Sequence, residues 1–277
     1  MLITTIVQFV GYIPTAEGTQ FNAIEPYLSE AENQLIGLFL GEDLSQYFET
    51  LPVENPLKVI ASRLLCLQAY ENAIPFVDLI QTNNGFAVVN NSNQLPASKE
   101  RVQRLIEWCS VQLYMNTDLL IQGILKDAEA LAAWTAFSEF EDLTNCLILT
   151  GNDFAKYATV SGVKRKSFMD AKSNLVSWQK NILEKVISAD YMQQLIAETR
   201  LNTFTEASKV IIIHCKMVLG QLVNKNTDEA EKICNILSNI LDKDLETYTV
   251  YANSAEYALK TTPVYQNLQS DPTYFFG

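Results

Sequence analysis

Two stretches of this chain carry the same apolar stripe at the same spacing. "FNAIEPYLSEAENQLIGLFLGEDLSQYF" begins at Phe21, and "FMDAKSNLVSWQKNILEKVISADYMQQL" begins at Phe168. In the first, Phe21, Ile24, Leu28, Ala31, Leu35 and Leu38 alternate steps of three and four, which marks one buried helical face. In the second, Phe168, Ala171, Leu175, Trp178 and Ile182 keep those steps, and Lys185 alone departs from them. Both fit the frame Phe-x6-Leu-x14-Asp-x2-Gln, through Phe21, Leu28, Asp43 and Gln46 and through Phe168, Leu175, Asp190 and Gln193. A stripe of this period belongs to helices, so the spacing predicts an all-α chain.

The flanks follow the same order. Upstream, Leu2 to Tyr12 recurs as "LILTGNDFAKY" from Leu147 to Tyr157. Downstream, an apolar helix holding Cys66 is matched by one holding Cys215, and third helices start near Ser98 and near Thr227. This predicts two similar helical units produced by internal duplication, residues 1–127 and 146–262. Residues 128–145 read as a connecting helix, with Trp134, Phe137 and Phe140 on a common face. No Gly/Ser linker separates the halves, so they are expected to pack together.

The halves differ at "TNNGFAVVNNSNQLPAS", which predicts a β-hairpin near residues 84–95. Asn84-Gly85 is a turn signal, Phe86 to Val89 is β-prone, and "NNSN" is a second turn before Gln94-Leu95. Pro96 ends the extended stretch and Ser98 is placed to N-cap the next helix; the second half shortens this region, with Asn226 or Thr227 capping directly. The hairpin either packs locally or pairs with a neighbouring subunit. Residues 263–277 read as an extended arm that docks its terminal aromatics on its own body or on a partner. The candidate interface residues are Phe86, Val88, Val89 and Leu95 of the hairpin, with Tyr274, Phe275 and Phe276 of the arm.

No constellation names a reaction. His214, the sole histidine, has no second histidine or cysteine pair to build a metal site with, and it reads as a core or interface residue. Cys66, Cys109, Cys146, Cys215 and Cys234 are widely spaced and sit among apolar residues, which predicts buried free thiols in a reducing compartment. Trp108, Trp134 and Trp178 fit helix stripes and are expected in the core. No phosphate cradle, nucleophile elbow or carboxylate pair stands out, so no catalytic, cofactor-binding or metal site is expected and the chain reads as not an enzyme. Twenty basic against 32 acidic residues give a net charge of −12, which disfavours adhesion to DNA phosphates or anionic membrane. The one basic cluster is Lys164, Arg165 and Lys166. The first residues lack a charged signal-peptide start, and "VIIIHCKMVLGQLV" is too short and too polar for a membrane span.

The lead-in "LITTIVQFVGYI", the helix from Phe21, the stretch "NNGFAVVNNSNQLPASKERVQRL" and the final "YFFG" resemble a group of phage and prophage structural proteins of gut bacteria. These are similar in layout to the head–tail connector, or adaptor, proteins of tailed phages. The resemblance implies a non-enzymatic virion protein whose copies form a ring between portal and tail. DNA would pass through the channel without specific binding, and no membrane would be involved. The protein would reside in the virion, and in the host cytoplasm during assembly. A connector of this kind carries one helical unit, whereas this chain carries two. The alternative is a monomeric helical protein-binding module or cytosolic adaptor.

Overall fold

The computed structural model describes residues 2–16, 18–76, 79–82, 85–88 and 97–262. The first half opens with α1 (Ile6–Tyr12), a 3-10 turn (Pro14–Ala16) and α2 (Phe21–Leu35), which runs into a π-helical turn (Ile36–Leu40). α3 (Glu42–Thr50), α4 (Pro56–Ala73), the strands β1 (Leu79–Thr82) and β2 (Gly85–Val88) and the long α5 (Lys99–Ile124) follow. α6 (Ala128–Thr135) and α7 (Phe140–Leu143) lead into the second half. There, α8 (Gly151–Phe154) precedes α9 (Lys164–Trp178), a second π-helical turn (Gln179–Leu183) and α10 (Glu184–Ile187). α11 (Ala189–Leu201), α12 (Glu206–Val223), α13 (Thr227–Lys243), α14 (Thr249–Ala252) and α15 (Ala255–Thr261) complete the chain. The regular elements among the described residues are thus helices apart from one strand pair.

Local chemistry sets the helix starts. Thr5 and Gln8 form a capping box at α1, and at α8 the Thr150 hydroxyl accepts the Asp153 N–H at 3.1 Å. Asn55 caps α4 ahead of Pro56 at its first position, and Thr205 with Ser208 boxes the start of α12. Ser98 does stand at the N-cap of α5 and Asn226 at that of α13, but neither side chain bonds the helix.

The two π-helical turns explain where the stripes fail. Each holds an extra residue, which rotates the helix face by about 100°. Ile24, Leu28 and Ala31 are buried as expected, but Leu38 is 72% exposed and Leu40 takes its place in the core. Likewise Phe168 and Leu175 are buried, whereas beyond the second π turn the inward positions are Leu183 and Ile187, not Ile182 and Lys185. Both helical runs end at a residue of positive φ, Gly41 (φ 74°, ψ 166°) and Ser188 (φ 78°, ψ 154°). Glycine is suited to that conformation; Ser188 adopts it while its hydroxyl accepts the Tyr191 N–H at 3.2 Å.

Three expectations need correction. The connecting segment is two helices, broken between Thr135 and Phe140, because in a straight helix residues six apart drift by about 120°. The break lets Trp134 and Phe140 enter one core edge-to-face, at 5.1 Å between ring centroids. The strand pair joins Leu79–Thr82 to Gly85–Val88, with Leu79 opposite Val88 and Thr82 opposite Gly85. The partner of Phe86 to Val88 therefore lies before the turn rather than at Gln94-Leu95, and residues 89–96 lie outside the described residues. Trp108 is 44% exposed, whereas Trp134 is buried and Trp178 partly so.

The core falls into three clusters. One draws on Ile3, Phe9, Ile13, Leu28 and Cys66 of the first half, and a second on Leu44, Phe48, Leu120, Trp134 and Leu149. The third lies wholly between Cys146 and Tyr251.

All five cysteines are free, and four are buried. Burial pushes the Cys109 and Cys146 thiols up to about 11, and raises those of Cys66, Cys215 and Cys234 too. The native protein should therefore resist thiol reagents at pH 8, while the unreduced chain in denaturant should titrate all five. A raised folded-state value means that stability is whole below the unfolded thiol value near 9 and falls as pH climbs through about 11. Buried Tyr191 and Tyr248, also raised, act in the same direction. Urea midpoints should drop between pH 8 and pH 11; a flat profile would contradict this burial.

Candidate functional site at the helical junction

From Trp108 to Leu125 the chain carries one charged residue, Asp118. It sits on α5 with its side chain 3% exposed, on the side that meets the second half. Its Oδ1 accepts the Gly151 N–H at 3.0 Å and Arg165 Nη1 at 2.9 Å, and its Oδ2 accepts the Asn152 N–H at 2.8 Å. The carboxylate of one half thus closes the first turn of α8 in the other, and the guanidinium of α9 balances its charge. Arg165 also lies 5.9 Å from the Phe168 ring centroid. The contact requires glycine at 151, since a Cβ there would stand 2.3 Å from the Arg165 backbone nitrogen. Around it, Asn202 Nδ2 donates to the Leu125 carbonyl at 3.0 Å and Arg200 Nη1 to Glu141 at 2.9 Å. Lys172 Nζ donates to the carbonyls of Asp142 at 3.1 Å and Leu143 at 3.0 Å, and burial lowers its pKa. With three donors in place, Asp118 is occupied as a structural acceptor.

Two adjoining hollows open beside this junction, sharing Tyr114 and Arg165 as a common wall. One, of about 320 Å³, is lined by Val111, Met115 and Leu119 of α5 and by the Gly162–Arg165 stretch. The other, of about 310 Å³, is mixed, lined by Leu35, Leu64, Leu113 and Met169 together with Gln68, Glu71, Ser110 and Thr117. Trp108, Val111, Met115 and Leu119 recur at steps of three and four, so they form one face of α5. On that face Trp108, Met115 and Leu119 are exposed, as is Met169 of α9 beside it. Exposed Lys164 stands at the rim, with its Nζ 3.4 Å from Asn152 Oδ1. A further cleft of about 460 Å³ shares Asn152 with the first hollow and holds Asp153, which bridges Lys216 at 2.5 Å and Lys156 at 3.3 Å.

Of the interface residues named from sequence, Phe86 and Val88 lie on β2, opposite Gln81 and Leu79. Val89, Leu95, Tyr274, Phe275 and Phe276 lie outside the described residues. His214 is half-buried on α12, its Nδ1 2.8 Å from the Val210 carbonyl one turn earlier. Among the described residues no group of three His, Cys, Asp or Glu side chains is placed to hold a metal ion. Among them, too, no helix is long and apolar enough to cross a membrane. Of the groove residues on α5, sequence analysis singles out Trp108 alone, as a core residue; Val111, Met115 and Leu119 carry no signal that marks them.

A family of unknown function (DUF6712) matches residues 20–136. The matched span runs from the start of α2 to the end of α6, so it takes in the groove-bearing α5 and leaves out α9. No curated protein and no solved structure matches the chain.

Proposed function

We propose that this protein is a non-enzymatic virion subunit of the head–tail connector kind, whose copies assemble into a ring between portal and tail. The observation that carries the reading is the uncovered apolar face of α5, where Trp108, Met115 and Leu119 lie in the open beside a largely apolar hollow. Contiguous apolar surface of this sort marks a site for another protein. The body behind it is suited to bear load, because its halves are joined by a buried ion pair and backbone hydrogen bonds at Asp118. The net charge of −12 fits a channel that DNA slides through without sticking. The layout resemblance to connector proteins supplies the partners, which are further copies of this chain together with portal and tail proteins, in the virion and, during assembly, in the host cytoplasm.

We infer internal duplication for the two halves. Its support is the shared element order, the matched lengths of α2 and α9 and of α4 and α12, and the paired positive-φ residues Gly41 and Ser188. The strand pair, α10 and the greater length of α5 distinguish the halves.

A monomeric binding module is the second reading, favoured by the presence of two adjoining hollows of about 320 and 310 Å³. The native mass of the purified full chain, alone and with portal protein, separates the two. A closed multimer or a portal complex is the expected result. A protomer mass at every concentration, with no portal binding, would overturn the ring and leave the module.

A further inference from the structure

We propose that the cleft of about 460 Å³ between the two halves binds a small molecule that carries a doubly charged oxyanion, phosphate or dicarboxylate, on an apolar body. Such a site is independent of the ring. Both halves build it: Gln122 of α5 lines it with Leu125 and Lys126 just beyond, and Leu149, Asp153, Lys156 and Lys216 line it from the second half. Concave sites of this size, at the seam between two packed bodies, are where proteins usually hold small ligands.

Charge selects the ligand. Three ammonium groups, of Lys126, Lys156 and Lys216, meet the single carboxylate of Asp153, which leaves an excess of two positive charges. The chain as a whole runs the other way, with 20 basic against 32 acidic residues. A concave surface lined by one sign of charge concentrates ions of the opposite sign. Asp153 is divided between two of the lysines, at 2.5 Å from Lys216 and 3.3 Å from Lys156. The Lys126 ammonium has no partner among the described residues, and neither has the half-buried amide of Gln122. The cleft is also more than a patch of surface lysines. Lys216 has a side chain only 12% exposed, held in place by its pair with Asp153. An oxyanion in the cleft would take charge-assisted hydrogen bonds from Lys126 of the first half and Lys156 of the second. Leu125, Leu149 and Phe204 line the same cleft and give an apolar body its contact surface.

The test is calorimetric titration of the full chain at pH 8 with phenyl phosphate, with phthalate and with neutral benzyl alcohol. The expected result is one site per chain for at least one of the dianions and none for the alcohol. Tighter binding of phenyl phosphate would assign a phosphate ligand, and tighter binding of phthalate a dicarboxylate. Lys126→Gln should weaken the dianion by about tenfold, as loss of a hydrogen bond to a charged group does. Lys126 is exposed and unbonded, so this change leaves the fold alone. Asp153→Asn, checked by thermal melting, should tighten binding by about twofold to fivefold, the worth of one part-exposed charge. Lys180→Gln, an exposed lysine outside the cleft, is the control for overall charge. No binding of either dianion would overturn the site. So would equal binding of benzyl alcohol, or a Lys126→Gln effect no larger than that of Lys180→Gln.

Discussion

Replacing Asp118 with alanine is expected to cost about 3–5 kcal/mol of unfolding free energy, because it strands a charge and two helix-terminal N–H groups in a buried setting. The Arg165 side chain is 11% exposed and has little water to turn to, and the Gly151 and Asn152 N–H groups lose the acceptor that crosses from α5. Asp118→Asn should lose less, since an amide oxygen still accepts one of these N–H bonds while the guanidinium stays unbalanced. Combining Asp118→Ala with Arg165→Met should cost less than the sum of the two single changes, as contacting partners do. Urea denaturation of the four proteins measures this. A change within ~0.5 kcal/mol for Asp118→Ala, the range of ordinary surface substitutions, would mean that the halves are not held at this point.

Trp134→Ala should be comparably damaging, also about 3–5 kcal/mol, as for a large ring removed from a closed core. Trp134 is among the largest fully buried side chains. Its ring meets Phe39 at 5.7 Å and Phe140 at 5.1 Å, both edge-to-face. Its Nε1–H donates at 2.8 Å to the Phe39 carbonyl within the first π-helical turn, where regular helical bonding is disturbed. Trp134→Phe keeps most of the volume and drops the donor to a part-buried carbonyl, so it should cost less, about 1–3 kcal/mol. Equilibrium melts of both variants check the ordering. Equal losses would make the hydrogen bond, and not the packing, the larger contribution.

The three-four spacing at Phe21 and Phe168 placed the long helices, but it did not separate from them the helices that begin at Glu42 and Ala189. It could not place the π-helical turns, because one extra residue in a turn shifts the phase without altering composition, and so Leu38 was taken for core. The break after Thr135 was hidden for a related reason: "WTAFSEFEDL" contains neither Gly nor Pro, and the tertiary demand to bury both Trp134 and Phe140 decides it. Trp108 was misplaced because an apolar residue at helical spacing does not say which of a helix's apolar faces meets the core. The junction has one readable sign, a lone carboxylate in the otherwise uncharged run from Trp108 to Leu125. A charge surrounded by that much apolar chain has to find partners in the fold, though sequence alone does not name Gly151, Asn152 and Arg165.

The division of the core also sets a timetable for synthesis. The two clusters of the first half are complete by Leu149, and the third begins at Cys146. As the chain leaves the ribosome, the first half can close while the second is still being made, in the order usual for successive folding units. Asp118 then emerges roughly 50 residues before Arg165, a gap of about 2–10 s at ordinary elongation rates. Until Gly151 follows, roughly 33 residues after it, that carboxylate faces water with none of its eventual partners present, on the surface that α8 and α9 will cover. The seam between the halves is therefore the last part of the junction to dry, and its charge keeps that surface wetted until its partners emerge.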